Sequence, residues 1–226
     1  MEKNIEIYNK KENCNIKAKV FFKDLINKSN SIFIFCHGFC SGKGSDSIRI
    51  VANMLLECEI PSISFDFPGH IDSIQGTDKL KVDVCISYIN SVVEYVKEEY
   101  GNSIKISFYA ILVKSLLKDS FEQYKRIGKA KAGHGGKIEI PYAFYEDLVS
   151  HNLYDNYKEK RKILIIQGSL DDTAPIEDTY TFIQNKPEIE LIEINNIKHH
   201  MEPEEISLIT EIMIKKLDFK MCQWCE

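Results

Sequence analysis

The sequence predicts an α/β protein that has a mostly parallel sheet, helices on both faces of the sheet and a small inserted cap. Continuous apolar runs such as SIFIFC (31–36) are typical of strands that are buried on both faces. Amphipathic segments alternate with these runs, as expected for a parallel sheet covered by helices. The alternation is interrupted at about residues 112–160, which we interpret as a cap within one domain spanning residues 1–226.

The amino-terminal half supplies a hairpin, three strands and two helices. Polar and apolar residues alternate over residues 4–8 and 14–22, which predicts an antiparallel hairpin. Helices are predicted at residues 45–59 and 78–100, because apolar residues recur there at helical spacing. The three strands of the buried type are at 31–36, 62–67 and 105–110.

Beyond residue 115 the composition shifts toward Lys, Tyr and Phe. The segment AGHGGKIEIPY (132–142) predicts a second hairpin around a glycine turn. From residue 162 the strand–helix alternation resumes and runs to the end of the predicted sheet. Its strands are at 162–168 and 189–194, and its helices are at 175–184 and 204–216.

Composition and charge exclude several classes of protein. The 226 residues are 44% hydrophobic and 28% charged, which is ordinary for a chain that buries a core. The net charge of −5 and the scattered lysines do not indicate a nucleic-acid-binding face. No apolar run approaches the roughly 20 residues that span a bilayer, and the polar amino terminus does not resemble a secretory signal. We therefore expect a cytoplasmic protein that binds neither nucleic acid nor membranes.

Seven cysteines without a secretory signal indicate reduced thiols rather than a disulfide framework. Cys222 and Cys225 form a CxxC pair close to the end of the sequence. A zinc site needs two further ligands, and a redox pair is expected at a strand-to-helix turn. We interpret the pair as incidental and expect no metal and no other cofactor.

The first stretch that could carry chemistry is FCHGFCSGKG (35–44), which follows a buried strand. A His-Gly turn at this place can point backbone amides into a cleft, as an oxyanion hole requires. The donor would be the backbone N–H of Phe39. A plain glycine-rich connection and a phosphate-binding loop are the alternatives, but the spacing of a P-loop is absent.

Two later loops carry a carboxylate and an imidazole. In SLDDTAP (169–175), Asp171 or its neighbour Asp172 could orient a histidine, although an Asp before a helix often serves as an N-cap. In NNIKHHM (195–201), His199 or His200 could act as a general base. A metal site that uses both histidines and an ordinary surface loop remain the alternatives for the second stretch.

The chain order of these stretches resembles the α/β-hydrolase family, in particular its cinnamoyl and feruloyl esterases and related serine-peptidase-like hydrolases. The turn DFPGHIDS (66–73) adds to the resemblance, although Ile71 replaces the last glycine of the family's D-x-x-G-H-G-x-S turn. The resemblance implies that Asp171 is the acid, His199 the base and Phe39 an oxyanion-hole donor. It also implies a cap like that predicted at 112–160, and a structural role for the 66–73 turn.

The nucleophile of that family is missing from the sequence. Its G-x-S-x-G elbow should follow the fifth strand, yet KISFYA (105–110) passes directly into ILVKSLL (111–117), and no G-x-S-x-G occurs in the chain. About two to three dozen residues, comprising a crossover helix and part of a strand, are missing at this junction by comparison with a complete crossover. Ser107 lies within a strand, Ser115 lies on an apolar run, and Cys40 is better explained as a small buried residue.

The sequence therefore predicts a protein that is by lineage a hydrolase of carboxylic esters and whose serine-type turnover is absent or very weak. The alternative is a non-catalytic relative that binds a small ester or aromatic acyl ligand, or a protein partner, beneath its Tyr- and Phe-rich cap. A metal-dependent enzyme built on His199 and His200 is the weakest hypothesis. Loss of the crossover helix should also expose apolar surface on one face of the sheet. Loss of most of a strand should either leave a strand edge unpaired or make the strand after the cap pair with the fifth strand.

Overall fold

The computed structural model describes residues 1–22, 29–39, 41–110, 121–132, 138–151 and 161–217. Several positions singled out from the sequence lie outside these ranges, namely Cys40, Ser115, Cys222, Cys225 and the junction that follows Ala110. The predicted deletion at that junction therefore stays a prediction, as does the division into one domain and a cap. Within the described residues, no helix is long and apolar enough to cross a membrane.

The central sheet contains five strands in the order β1-β2-β4-β3-β5. The predicted hairpin forms the antiparallel pair β1–β2, and β2 continues antiparallel to β4. β3 lies between β4 and β5 and is parallel to both, as its continuous apolar sequence predicts. The strands are β1 (Glu2–Asn9), β2 (Cys14–Phe21), β3 (Ser31–Cys36), β4 (Ser62–Phe65) and β5 (Lys105–Ala110).

Helices cover both faces of this sheet, as predicted. α1 (Asp46–Glu57) is N-capped by the side chain of Ser45 and packs with α6 (Pro203–Lys216) on one face. α2 (Val82–Tyr100) packs on the other face, and it starts later than predicted because a 3₁₀ turn, Thr77–Lys79, precedes it. Alternate residues of β3 therefore enter two separate cores. Ile32 and Ile34 contact the α2 side, and Phe33 and Phe35 contact the α1 side.

The described part of the predicted cap is a hairpin flanked by two helices. The hairpin pairs β6 (Lys129–Ala132) with β7 (Ile138–Pro141), so its first strand begins three residues before the predicted 132–142 segment. Tyr124 and Ile140 are buried, and the Tyr124 hydroxyl donates a hydrogen bond to the Pro141 carbonyl at 2.7 Å. The helices are α3 (Phe121–Ile127) and α4 (Tyr142–Ser150).

The carboxyl-terminal strands form a separate parallel pair, β8 (Ile163–Gly168) with β9 (Ile189–Ile194), connected by α5 (Ile176–Ile183). Within the described ranges, β5 pairs only with β3 and no strand joins it to β8. Phe108 on β5 is 45% exposed and Ile86 on α2 is 47% exposed. These are exposed apolar side chains on β5 and α2 within the described residues, and their origin in a deletion after Ala110 stays a prediction.

Phe108 is half exposed, whereas its cross-strand partner Ile34 is fully buried. Truncation of the two side chains to alanine should therefore lower stability by unequal amounts. We expect Ile34→Ala to lower the free energy of unfolding by about 2–5 kcal/mol and Phe108→Ala to lower it by less than about 1 kcal/mol. Urea unfolding of both variants measures the difference. A loss of several kcal/mol for Phe108→Ala would show that this face of β5 is packed.

Candidate active site

The loops that follow β8 and β9 bring Asp171 and His199 together. His199 Nδ1 lies 3.0 Å from Asp171 Oδ2 and 3.1 Å from Oδ1, across 28 residues of sequence. Both side chains are largely buried, with 8% of Asp171 and 14% of His199 exposed. An ionised carboxylate only accepts hydrogen bonds, so Nδ1 carries the proton and Nε2 keeps a free lone pair. That is the tautomer that a general base requires.

A close contact between the two loops fixes this geometry. A Cβ atom at Gly168 would lie 2.2 Å from the Ile197 carbonyl oxygen, so only glycine permits the approach. Leu170 N donates to the same carbonyl at 3.0 Å. Asn196, at φ +65°, donates its backbone N–H to Ser169 Oγ at 2.9 Å. The loops are therefore held together on either side of the Asp171–His199 pair.

Asp171 does not cap α5 as the alternative hypothesis expected, because the N-cap position is Pro175, but local hydrogen bonds fix its carboxylate. Its Oδ1 accepts hydrogen bonds from the backbone N–H groups of Thr173 at 3.0 Å and Ala174 at 2.7 Å, just before α5. These bonds orient the carboxylate toward the imidazole. Asp172 is exposed and accepts a hydrogen bond from the Thr173 hydroxyl, and the ring of His200 lies edge-on to the His199 ring.

The first loop contains a buried histidine that the sequence analysis did not single out. His37 donates from Nδ1 to the Gly38 carbonyl at 2.8 Å, and its Nε2 accepts the Phe67 N–H at 3.0 Å. Burial lowers the pKa of His37 to about 4, so the ring is neutral at pH 7. It therefore joins the loops after β3 and β4 as an uncharged bridge. The His-Gly pair directly after a buried strand could have indicated a buried His37, but no sequence pattern indicates its bond to Phe67.

Lys43 joins the same two loops through charge. Its Nζ donates to Asp66 Oδ2 and to Asp72 Oδ2, both at 2.6 Å, and its backbone N–H donates to Asp66 Oδ1 at 2.7 Å. Burial opposes the charge on Lys43, but the hydrogen bonds to the two carboxylates outweigh it and raise its pKa. The 66–73 turn is thus tied to the first loop. The phosphate-binding alternative for this loop would need a free Lys43 amine, but Lys43 Nζ contacts two carboxylates instead.

Phe39 lies where the first loop meets the cap. Its ring stacks on Phe144 of α4 at 5.7 Å and meets the His70 ring edge-on at 5.2 Å. No described residue accepts a hydrogen bond from the Phe39 backbone N–H. Ser107, the only serine of β5, lies within the strand as expected. In the described ranges, no three His, Cys, Asp or Glu side chains gather as a metal site would require.

The chain is similar over almost its whole length to several solved structures. These include mouse α/β-hydrolase domain-containing protein 10 (16% identity, TM-score 0.72, 96% of this chain and 98% of that chain). GrgF, an α/β-hydrolase from Penicillium sp. sh18, matches with 14% identity, TM-score 0.72 and 97% of both chains. Est1E from Butyrivibrio proteoclasticus with bound ferulic acid matches with 16% identity, TM-score 0.71, 94% of this chain and 97% of that chain.

These similarities show that the chain has the α/β-hydrolase fold, which confirms the resemblance inferred from the sequence at the level of the fold. No protein-family model matches the chain, and no curated protein sequence matches it either.

The ion pairs of Lys43 with Asp66 and Asp72, called the Lys43 clamp from here on, predict that removal of the Lys43 charge lowers stability strongly. Lys43→Met leaves the fully buried Asp66 carboxylate without its cation, so we expect the free energy of unfolding to fall by roughly 3–5 kcal/mol. Lys129→Met is the matched control, because Lys129 and Glu139 form an exposed pair that should contribute less than about 1 kcal/mol. Chemical unfolding of both variants gives the comparison. Equal losses of unfolding free energy in the two variants would mean that the Lys43 clamp does not hold the loops after β3 and β4 together.

His37 predicts a pH dependence of stability. Between its unfolded pKa of 6.5 and its folded pKa of about 4, the unfolded chain binds a proton that the folded chain does not. The free energy of unfolding should therefore fall as the pH drops through this window, by up to about 3 kcal/mol from His37. Burial lowers the pKa of His70 too, which adds to the loss.

The measurement is urea unfolding at a series of pH values between 7 and about 4 for the wild type and His37→Gln. The variant, which has no titrating ring at this position, should show a flatter curve. Parallel curves would contradict the assignment of a neutral buried ring to His37.

Proposed function

We propose that the chain descends from hydrolases of carboxylic esters and retains their acid–base pair without a serine nucleophile. The observation that carries this proposal is the Asp171–His199 hydrogen bond of 3.0 Å in a chain that has no G-x-S-x-G sequence. The α/β-hydrolase fold supports it, and so does the similarity to Est1E, which was solved with ferulic acid bound. Serine-type turnover is accordingly absent.

The retained groups can still assist a slow reaction of water with an activated ester. His199 Nε2 takes a proton from water as its oxygen bonds to the carbonyl carbon, and Asp171 stabilises the imidazolium that results. The Phe39 N–H is the proposed donor to the oxyanion. When the carbon–oxygen ester bond breaks, His199 returns the proton to the leaving alkoxide. Without a covalent intermediate, the rate remains far below that of a complete triad.

A second candidate function is ligand binding without catalysis in a cytoplasmic protein. It is favoured by an apolar pocket between the first loop, α2 and the cap helix α4, where Phe144 stacks on Phe39. An aromatic-lined pocket of this kind suits a small ester or aromatic acyl ligand. A protein partner could use the same cap surface, on which Leu148 and Val149 are exposed.

Hydrolysis of p-nitrophenyl acetate and butyrate by the purified chain, His199→Ala and Cys40→Ala tests the first proposal. We expect the wild type to exceed His199→Ala by less than about tenfold and to equal Cys40→Ala, because no nucleophile forms an acyl-enzyme. A burst of p-nitrophenolate would contradict the proposal by showing an acyl-enzyme. Turnover that is lost in both variants would contradict it too and would identify Cys40 as the nucleophile.

A further inference from the structure

The acid loop (residues 169–175), which connects β8 with α5, must hold its carboxylate in one direction if that group is to orient a histidine. Asp171 Oδ1 accepts hydrogen bonds from the backbone N–H groups of Thr173 and Ala174. These bonds fix the carboxylate relative to its own loop. The start of the loop is held by the glycine contact described above, but both donors lie at its other end. The position of the carboxylate therefore depends on what attaches that other end.

Gln167 of β8 attaches the far end of the acid loop. Its side-chain Nε2 donates a hydrogen bond to the Ala174 carbonyl, and its Oε1 accepts one from the Thr179 hydroxyl of α5 at 2.6 Å. A carbonyl oxygen can only accept, so the amide nitrogen must face Ala174 and the two ends of the carboxamide cannot be exchanged. One side chain thus joins the strand, the loop and the helix.

The Gln167 side chain is enclosed among these three elements, since only 8% of the residue is exposed. Pro175, the N-cap of α5, follows Ala174 and disfavours helical geometry there. The Ala174 carbonyl therefore lies outside the hydrogen-bond pattern of α5, and Gln167 supplies a donor to it. Removal of that donor is unfavourable, because a carbonyl in a partly buried place then loses its partner.

We propose that Gln167 is a positioning residue for the Asp171–His199 pair. Gln167 holds the Ala174 carbonyl, and the N–H of the same residue donates to Asp171 Oδ1 at 2.7 Å. Asp171 in turn lies 3.0 Å from His199 Nδ1. Without Gln167 the end of the loop shifts, and the imidazole loses the acceptor that selects its Nδ1–H tautomer. This inference rests on the proposed function, since it concerns the same acid–base pair, but its test needs no turnover.

The test is the ratio of the Nδ1–H to the Nε2–H tautomer of His199. The ring nitrogen chemical shifts of the isotope-labelled chain report this ratio at about pH 9, well above the ordinary histidine pKa. His199→Ala identifies the signals, and the Nδ1–H form should predominate in the wild type. Gln167→Met keeps the length of the side chain and removes both hydrogen bonds, so it should lower the ratio roughly tenfold. Thr179→Val removes one of the two bonds and should lower the ratio roughly threefold.

Two controls separate positioning from a general loss of stability. Thr181→Val is the matched control for Thr179→Val, because the Thr181 hydroxyl donates to the Glu177 carbonyl within α5 and does not contact the acid loop. It should leave the tautomer ratio of His199 unchanged. The His37 ring, whose tautomer is selected by hydrogen bonds of the loops after β3 and β4, should also be unchanged in every variant.

A ratio that falls in Gln167→Met and Thr179→Val, but not in Thr181→Val, supports the inference. An unchanged ratio in the first two variants, or an equal fall in all three, would overturn it and leave the Asp171–His199 pair intact. A wild type in which the Nε2–H form predominates would overturn that pair as well, and with it the proposed function. If Gln167→Met does not fold, Thr179→Val against Thr181→Val decides the outcome.

Discussion

Parallel strand pairing is the constraint on which the candidate site depends. Parallel strands end at the same edge of a sheet, so the loops after β3 and β4 must meet, and so must the loops after β8 and β9. The first pair of loops is joined by His37 and Lys43, and the second pair by the contact of Gly168 with Ile197. Backbone topology thus brings the candidate site residues to one edge of each sheet, and these contacts hold them there.

The loop after β3 has charged residues buried on one side and neutral histidines buried on the other. On one side, the buried Lys43 cation is matched by Asp66 and Asp72, so a charge persists in the interior because its partners are in direct contact. On the other side, no described carboxylate is bonded to His37 or His70, and burial lowers the pKa of both rings and keeps them neutral at pH 7. The loop after β3 therefore lies between the Lys43 ion pairs and the apolar pocket that His37 and His70 line.

Much of the fold could be predicted from the sequence because its signals are local. The apolar run of β3 and the helical spacing of α2 each report burial within one segment. The Asp171–His199 pair could be expected because both residues follow strands that end at one edge of a sheet. The Lys43–Asp66 contact spans 23 residues and has no local pattern, and neither has the bridge from His37 to Phe67. The hairpin start at Lys129 was missed, although Gly128, at φ +80°, directly precedes it and ends α3.

A hydrolase scaffold with an intact acid–base pair and no serine nucleophile is the central claim, and a fluorophosphonate probe tests it most directly. The probe phosphonylates an activated serine with loss of fluoride, and His199, the proposed base, would be needed for that activation. Intact-mass spectrometry after incubation should show the unmodified chain, in the wild type as in His199→Ala. A stoichiometric adduct on the wild type that disappears in His199→Ala would contradict the account and identify the nucleophile.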